Sequence, residues 1–111
     1  MAKKPADDLL NILSAVMIGL VADDSPDLTM RGLSILLMTR TLPGPHTVRG
    51  FAERLGTSKP AITRTADRLE QLGLVQRVDD PADGRSVLVR ATKAGAAHVT
   101  HVGRLAWDAT G

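Results

Sequence analysis

The stretch from Gly56 to Ala91 constrains the fold most, because it predicts one helix followed directly by two short strands. Ser58 is a favourable N-cap, and Pro60 lies in the first helical turn, where a missing N–H is tolerated. Four apolar residues then recur at helical spacing and form one stripe along the helix: Ile62, Ala66, Leu69 and Leu72. Gly73 follows as a C′ glycine, so a helix is predicted over residues 58–73.

Two short strands are predicted next, over residues 74–79 and 86–91. The second alternates as a half-buried strand does, with Val87, Val89 and Ala91 on one face. The connecting segment carries Asp83-Gly84 at its tip, a pair that is typical of tight hairpin turns. A helix followed at once by a hairpin with a basic tip is the arrangement of a winged helix. In it the helix can enter a major groove while the hairpin reaches along the backbone to a minor groove.

The remaining sequence predicts further helices, over residues 6–22, 30–41, 48–55 and 93–108. The helix over 30–41 is expected to bury Leu33, Leu36 and Leu37. Residues 1–5 are expected to be a loose terminus. A glycine turn joins the helix over 48–55 to the helix that starts at Ser58. A helix-turn-helix is therefore predicted over residues 47–73.

The predicted fold class is α+β and mostly helical. It is a winged helix-turn-helix with a two- or three-stranded β-wing over residues 74–91 and flanking N- and C-terminal helices. The whole chain, residues 1–111, is predicted to be a single winged-helix domain, because its length allows one modest core. That core must be aliphatic, since Phe51 and Trp107 are the only Phe, Trp or Tyr residues in the sequence.

Charge is unevenly distributed along the chain, although the formal net charge is only +2. Residues 1–30 carry 2 basic and 5 acidic residues, whereas residues 31–111 carry 12 basic and 7 acidic residues. The basic part contains the predicted helix and hairpin, which agrees with a phosphate-binding surface, although solvated basic faces are also common. The scarcity of aromatic rings argues against a single-strand binder, in which bases stack on rings.

Several classes of chemistry are excluded by composition. The sequence has no cysteine, which rules out disulfides, thiolate nucleophiles, cysteine zinc sites and thiol redox sensors. It contains no catalytic Ser/His/acid arrangement and no phosphate-cradling glycine loop, so neither an enzyme nor a cofactor is predicted. His98 and His101 would supply too few ligands for a metal, and an amphipathic helix is the preferred interpretation. The apolar run over residues 9–21 is short for a membrane span, so a soluble, cytoplasmic protein is expected.

The first predicted helix carries apolar residues over half of its circumference, at about 100° per residue. A surface helix of a small domain usually has a narrower stripe. This helix is therefore either deeply buried in its own domain or covered by two partners. In so short a chain, a second subunit is the favoured second partner. The predicted dimerisation residues are Leu9, Leu13, Val16, Met17 and Leu20.

Four motifs follow one another between residues 55 and 86: Leu-Gly-x-Ser-Lys-Pro, Thr-Arg, Asp-Arg-Leu-Glu-x-x-Gly-Leu-Val and Asp-Pro-x-Asp-Gly-Arg-Ser. In this order and spacing they resemble the MarR-type winged helix-turn-helix regulators, and the resemblance extends from Leu28 to Gly95. It implies a dimer formed through the terminal helices. It also implies that the wing arginine, here Arg85, is held by acidic residues and meets DNA. Most members carry more helix after the wing than this chain does.

The winged-helix arrangement and the resemblance together predict a DNA-binding set on the helix-turn-helix and the wing. Lys59, Thr63 and Arg64 would contact bases or phosphate, unless they form an ordinary solvated helix face. Arg68 would either reach phosphate or pair with an acidic neighbour on its own helix. Arg85 would contact DNA, pair with a wing aspartate, or do both. The predicted set is Ser58, Lys59, Pro60, Thr63, Arg64, Arg68, Arg49, Arg77 and Arg85.

These features predict a sequence-specific, double-stranded-DNA-binding transcription regulator that acts as a homodimer at promoter DNA. The alternative is a winged-helix protein-interaction module that binds polymerase or another regulator, with weak or no DNA binding. Lys59, Arg64 and Arg85 favour the first prediction, because a pure interaction module has no need of these cations. A small-molecule effector is possible but not evident, and no membrane partner is expected.

Overall fold

The computed structural model describes residues 5–111, so the terminus predicted over residues 1–5 lies outside the described residues except for Pro5, which already belongs to a helix. The described elements are α1 (Pro5–Ala22), α2 (Met30–Thr41), α3 (Val48–Leu55), α4 (Lys59–Gln71), β1 (Val75–Asp80), β2 (Asp83–Ala91) and α5 (Lys93–Thr110). The two strands pair antiparallel in one sheet. This order of elements confirms the predicted fold class, a mostly helical winged helix-turn-helix.

Contacts within the chain divide it into two compact units. The winged-helix unit is residues 28–97 and contains α2, α3, α4, the sheet and the start of α5. The terminal-helix unit combines the N-terminal part through Asp27 with residues 98–111. The single domain predicted over residues 1–111 stays a prediction.

The wing differs from the prediction at its tip. β2 begins at Asp83, so Asp83 and Gly84 belong to the strand, and the turn lies at residues 81–82. The prediction of an Asp-Gly turn was therefore wrong. The reason is local: the Asp80 carboxylate accepts the backbone N–H two residues on at 2.9 Å, and the Asp83 carboxylate accepts that of Arg85 at 3.1 Å. Aspartate side chains fix turns through such bonds, and here they close the hairpin earlier than the glycine indicated.

The core of the winged-helix unit is aliphatic around one aromatic ring. Its largest fully buried side chains come from α2, α3, α4 and β1: Phe51, Ile35, Leu36, Ile62, Leu69 and Val75. Leu72, the last residue of the predicted α4 stripe, is only half-buried because it is the C-cap of that helix. The remaining members of that stripe are buried, so the helical period correctly identified the face of α4 that packs into the core.

The buried face of α2 is rotated from the predicted one. Leu36 is buried as predicted, whereas Leu33 and Leu37 are only half-buried and Ile35 is buried as well. Gly32 is buried, and a Cβ added there would lie 3.5 Å from Cδ2 of Leu69, which belongs to α4. The helix therefore packs on α4 through the face that carries its glycine, and Ile35 follows three residues later on that same face.

In the terminal-helix unit a side-chain hydrogen bond joins the residue after α1 to α5. Nε2 of His101 lies 2.7 Å from Oδ2 of Asp23, and the Asp23 carboxylate also accepts the backbone N–H of Ser25 at 2.8 Å. The hydrogen bonds from Ser25 and from His101 lower the pKa of Asp23 from 3.8 to about 2. One turn earlier, a Cβ added at Gly19 would lie 3.0 Å from Cδ2 of Leu105, so this end of α1 lies close against α5.

Most apolar side chains of α1 are exposed, so the helix is not deeply buried in its own chain. Val16 is its one buried residue, whereas Leu13 is 54% and Val21 84% exposed. With 18 residues and a mean hydropathy of 1.5, α1 has the length and composition of a membrane span, and it exceeds the apolar run over 9–21. Core helices of soluble proteins and signal sequences share these properties. An exposed apolar face of this size indicates a surface that another molecule covers.

His98 gives the terminal-helix unit an expected pH dependence. Burial lowers the pKa of His98 below 6.5, the neighbouring His101 lowers it further, and Asp23 opposes both. The unfolded chain therefore binds more protons than the folded chain below about pH 6.5, so the free energy of unfolding should fall as the pH is lowered through that value. Urea unfolding at pH 7.5 and pH 5.5 measures the slope, and His98→Gln should reduce it. An unchanged slope in this variant would contradict the assignment.

Candidate nucleic-acid interface

The start of α3 is held against the wing by backbone contacts. The Val89 N–H donates to the carbonyl oxygen of His46 at 2.9 Å, and Thr47 forms an antiparallel bridge with Leu88. Thr47 is also the N-cap of α3, where its hydroxyl oxygen accepts the Gly50 N–H at 2.9 Å. The first turn of α3 is therefore fixed beside β2 by the same short segment that caps the helix.

A tight turn sets α4 after α3. Gly56 adopts a left-handed conformation with φ of 62° and ends α3, and its N–H bonds back to that helix. Two residues later Ser58 caps α4, since its hydroxyl oxygen accepts the Ala61 N–H at 3.2 Å. Pro60 lies in the first turn, as predicted. Residues 48–71 thus form the helix-turn-helix, and the N-terminus of α4 is solvent-exposed at Ser58, Lys59 and Pro60.

An open groove of about 240 Å³ lies between α3, α4 and the wing. We call it the basic groove; its lining residues are Thr47, Val48, Arg49, Lys59, Thr63, Arg77, Arg85, Ser86 and Val87. Five of them belong to the predicted DNA-binding set: Arg49, Lys59, Thr63, Arg77 and Arg85. Four are cations from four different elements, so the fold concentrates positive charge in a groove that the chain order alone does not reveal.

The other predicted contacts lie outside this groove. Ser58, Pro60, Arg64 and Arg68 are all exposed on or beside α4, but they do not line the groove. Four further residues line the groove but do not belong to the predicted set: Thr47, Val48, Ser86 and Val87. Thr47 begins the predicted helix-turn-helix, and no sequence signal distinguishes the others from ordinary residues of α3 and the second strand.

Most cations of the predicted DNA-binding set form no ion pair within the described residues. Within residues 5–111, five cations of the predicted DNA-binding set form no salt bridge with a carboxylate: Arg49, Lys59, Arg64, Arg68 and Arg85. Asp67 and Glu70, which were considered as partners of Arg68, pair with a different residue. Asp83 accepts the backbone N–H of the wing arginine rather than its guanidinium. These side chains are therefore open to an external anion such as a phosphate.

Arg77 is the exception among the cations of the groove. Its guanidinium donates to Asp67 and, through Nε at 3.2 Å and an Nη atom at 2.8 Å, to Glu70. The hydrogen bonds from Arg77 lower the pKa of Glu70, and the same contact with Glu70 is the main cause that raises the pKa of Arg77. Glu70 and Arg77 are therefore both ionised near neutral pH. Arg77 lines the groove, but two carboxylates of α4 already hold its charge.

The predicted dimerisation residues separate into three groups in the terminal-helix unit. Leu9, Leu13 and Met17 are exposed, Leu20 is half-buried, and Val16 is buried. Leu10 and Ile18 are also exposed large apolar residues of α1, and they were not among those predicted. The apolar surface of the helix is therefore broader than the predicted set.

Neither a metal centre nor a catalytic set is indicated by the described residues. Within residues 5–111, no group of three or more His, Cys, Asp or Glu side chains is arranged to hold a metal ion. His98 and His101 are neighbours with ring centroids 6.4 Å apart, and the second pairs with Asp23. His46 stacks on Phe51 with centroids 5.4 Å apart.

The model of the MarR family matches residues 26–86 of the chain. Solved structures with the same fold include CouR from Rhodococcus jostii RHA1 bound to p-coumaroyl-CoA, with 31% identity and a TM-score of 0.68 over 88% of this chain and 66% of CouR. The PcaV transcriptional regulator from Streptomyces coelicolor is 25% identical, with a TM-score of 0.67 over 96% of this chain and 78% of PcaV.

A third similar structure contains DNA. A mutant of MarR from E. coli, complexed with operator DNA, is 26% identical with a TM-score of 0.66 over 90% of this chain and 66% of MarR. The chain thus spans slightly less than two thirds of CouR and of this MarR structure. The comparison with curated proteins found no match.

The chain belongs to the MarR family, since the family model covers more than half of its residues. This confirms the predicted family. Members of this family are transcription regulators and not enzymes, which agrees with the prediction that this chain is not an enzyme.

Proposed function

We propose that the chain is a sequence-specific transcription regulator that binds double-stranded DNA at promoter sites, as a homodimer in the cytoplasm. The observation that carries the proposal is the basic groove, in which Arg49, Lys59 and Arg85 surround one opening and form no ion pair within residues 5–111. Family membership and the operator complex of a similar protein support it. Occupation of a promoter site would block or redirect polymerase.

In this proposal α4 reads the major groove with its exposed N-terminal half. Lys59 and Arg64 can donate to guanine edges or to phosphate, and Thr63 can meet a thymine methyl. The helix N-terminus at Ser58 and Pro60 adds a positive dipole end that favours phosphate. Arg85 on the wing is placed for phosphate or for a narrow minor groove.

The exposed apolar surface of α1 supports the proposed homodimer. Its exposed apolar residues form the kind of patch that soluble monomers rarely leave uncovered. A second copy of α1 offers the same apolar composition, so a two-fold contact would cover both patches at once. A dimer would also present each α4 twice and therefore favours an inverted-repeat DNA site.

Two alanine variants distinguish a residue that contacts bases from a residue that contacts phosphate. Arg64→Ala should weaken binding to the specific duplex by about 1–3 kcal/mol and affect a scrambled duplex less, because it removes a base contact. Arg85→Ala should weaken binding to both duplexes more evenly, because it removes a phosphate contact. It should also lower the salt slope, the steepness with which log K falls as log salt concentration rises, by about one unit per subunit. Binding titrations at several salt concentrations measure both quantities.

Arg104→Ala is the matched control, since it removes an exposed arginine of α5 that lies outside the groove. Its affinity and salt slope should equal those of the wild type. If Arg64→Ala and Arg85→Ala also bind both duplexes as the wild type does, the DNA-reading proposal fails. The protein-interaction module then becomes the better account of this winged helix.

A further inference from the structure

Arg77 differs from the other cations of the basic groove because two carboxylates of α4 bind it. Its backbone N–H donates to Oε2 of Glu70 at 3.2 Å, while its side chain donates to Oε1 of the same carboxylate and to Asp67. One residue of β1 is therefore bound through both main chain and side chain to two residues of α4. Arg49, Lys59 and Arg85 form no ion pair within the described residues 5–111.

The two carboxylates lie on the proposed reading helix itself. α4 carries three basic residues and the two acidic residues Asp67 and Glu70, which lie toward its C-terminal end. The C-terminal end of a helix already bears a partial negative charge. Unpaired, these carboxylates would repel the phosphates of any duplex that α4 approaches, and like charges brought together at an interface lower affinity strongly.

The guanidinium of Arg77 is poorly available to a phosphate. Its Nε and one Nη atom are engaged by the carboxylates, and 23% of its side chain is exposed. A phosphate would have to displace both carboxylates and leave them unpaired beside the DNA. The exposed guanidinium of Arg85 on the same groove has no such competitor within residues 5–111.

We propose that Arg77 is a positioning residue that neutralises Asp67 and Glu70 and fixes β1 on α4, and that it is not itself a phosphate contact. It serves DNA binding by removing repulsion from the reading helix and by holding the wing beside that helix. The inference rests on the proposed function of DNA binding.

The test uses the 111-residue chain and three variants of it: Arg77→Met, the pair Asp67→Asn with Glu70→Gln, and all three substitutions together. Arg77→Met should lower affinity for the specific duplex by about tenfold or more, because two carboxylates lose their partner beside the phosphates. The triple variant should recover most of that loss, to within about threefold of wild type, since the repulsive charges are gone. Arg85→Met, also on the groove, is the comparison variant, because Arg85 is not paired with these carboxylates.

The salt slope distinguishes a residue that neutralises neighbouring carboxylates from a residue that contacts phosphate. Arg77→Met should leave the slope within about half a unit per subunit of wild type, whereas Arg85→Met should lower it by about one unit per subunit. The carboxylate pair alone, with Arg77 intact, frees a cation and should tighten binding to a scrambled duplex and raise the slope by about one unit per subunit. This last variant keeps the test decisive if Arg77→Met does not fold.

Two results would overturn the inference. One is a slope that falls by about one unit per subunit in Arg77→Met and an affinity that the triple variant does not recover. The other is an unchanged slope in the carboxylate pair, which would mean that Arg77 already contacts phosphate in the wild type. If the wild-type chain binds no duplex at all, the proposed function fails before the variants are compared.

Discussion

Replacing Gly95 with alanine should destabilise the winged-helix unit by about 3 kcal/mol or more. A Cβ at this position would lie 1.9 Å from the carbonyl oxygen of Leu74 and 2.9 Å from its carbon, so it would overlap backbone atoms. That carbonyl cannot move freely, because it accepts the N–H of Thr92 at 3.0 Å. The Thr92 hydroxyl in turn caps α5 through the Gly95 N–H and donates to Gly73.

Urea unfolding of the wild type and of Gly95→Ala measures this loss of stability. Gly103→Ala is the matched control on the same helix. A Cβ at Gly103 would meet no heavy atom within 4 Å. That variant should therefore be stabilised by up to about 1 kcal/mol through helix propensity. A Gly95→Ala protein as stable as the wild type would show that α5 does not begin against Leu74 as described.

Replacing Leu13 with aspartate should dissociate the proposed dimer. Leu13 is 54% exposed in the single chain, so the change should leave the isolated chain nearly as stable as before. In a dimer that covers this side of α1, an unpaired carboxylate would be buried and would weaken association by about 3 kcal/mol, roughly a hundredfold. Sedimentation equilibrium at micromolar concentration measures the association.

Asn11→Asp adds the same charge to the same helix. It lies on nearly the opposite side of α1 from Leu13, because two residues turn an α-helix by about 200°, and its position is already polar. This variant should remain a dimer. A wild-type chain that sediments as a monomer at micromolar concentration would contradict the proposed dimer surface.

Local chemistry made much of the fold predictable. Thr47 and Ser58 cap α3 and α4 by accepting the N–H three residues on, which depends only on neighbouring residues. The apolar stripe of α4 was predictable for the same reason, because one helical period decides it. The order of helix and hairpin then determined the fold class.

Packing between elements was less predictable. The buried face of α2 could not be deduced, because apolar residues lie on several sides of the helix and the position nearest Leu69 is a glycine, which carries no apolar side chain. Spacing along α4 suggested Arg68 as the partner of Asp67 and Glu70. The carboxylates instead pair with Arg77, which the fold brings back from β1. Such a choice depends on tertiary structure, which sequence spacing does not contain.

Genome-wide footprinting in the source cell tests the proposed DNA-binding face most directly, with the wild type compared to a chain carrying Lys59→Ala, Arg64→Ala and Arg85→Ala. The wild type should protect sites that share an inverted repeat, with half-sites about one helical turn apart. The triple variant, if it unfolds in urea as the wild type does, should protect none of them. Equal protection by both proteins, or no protected site for the wild type, would contradict DNA reading by α4 and the wing.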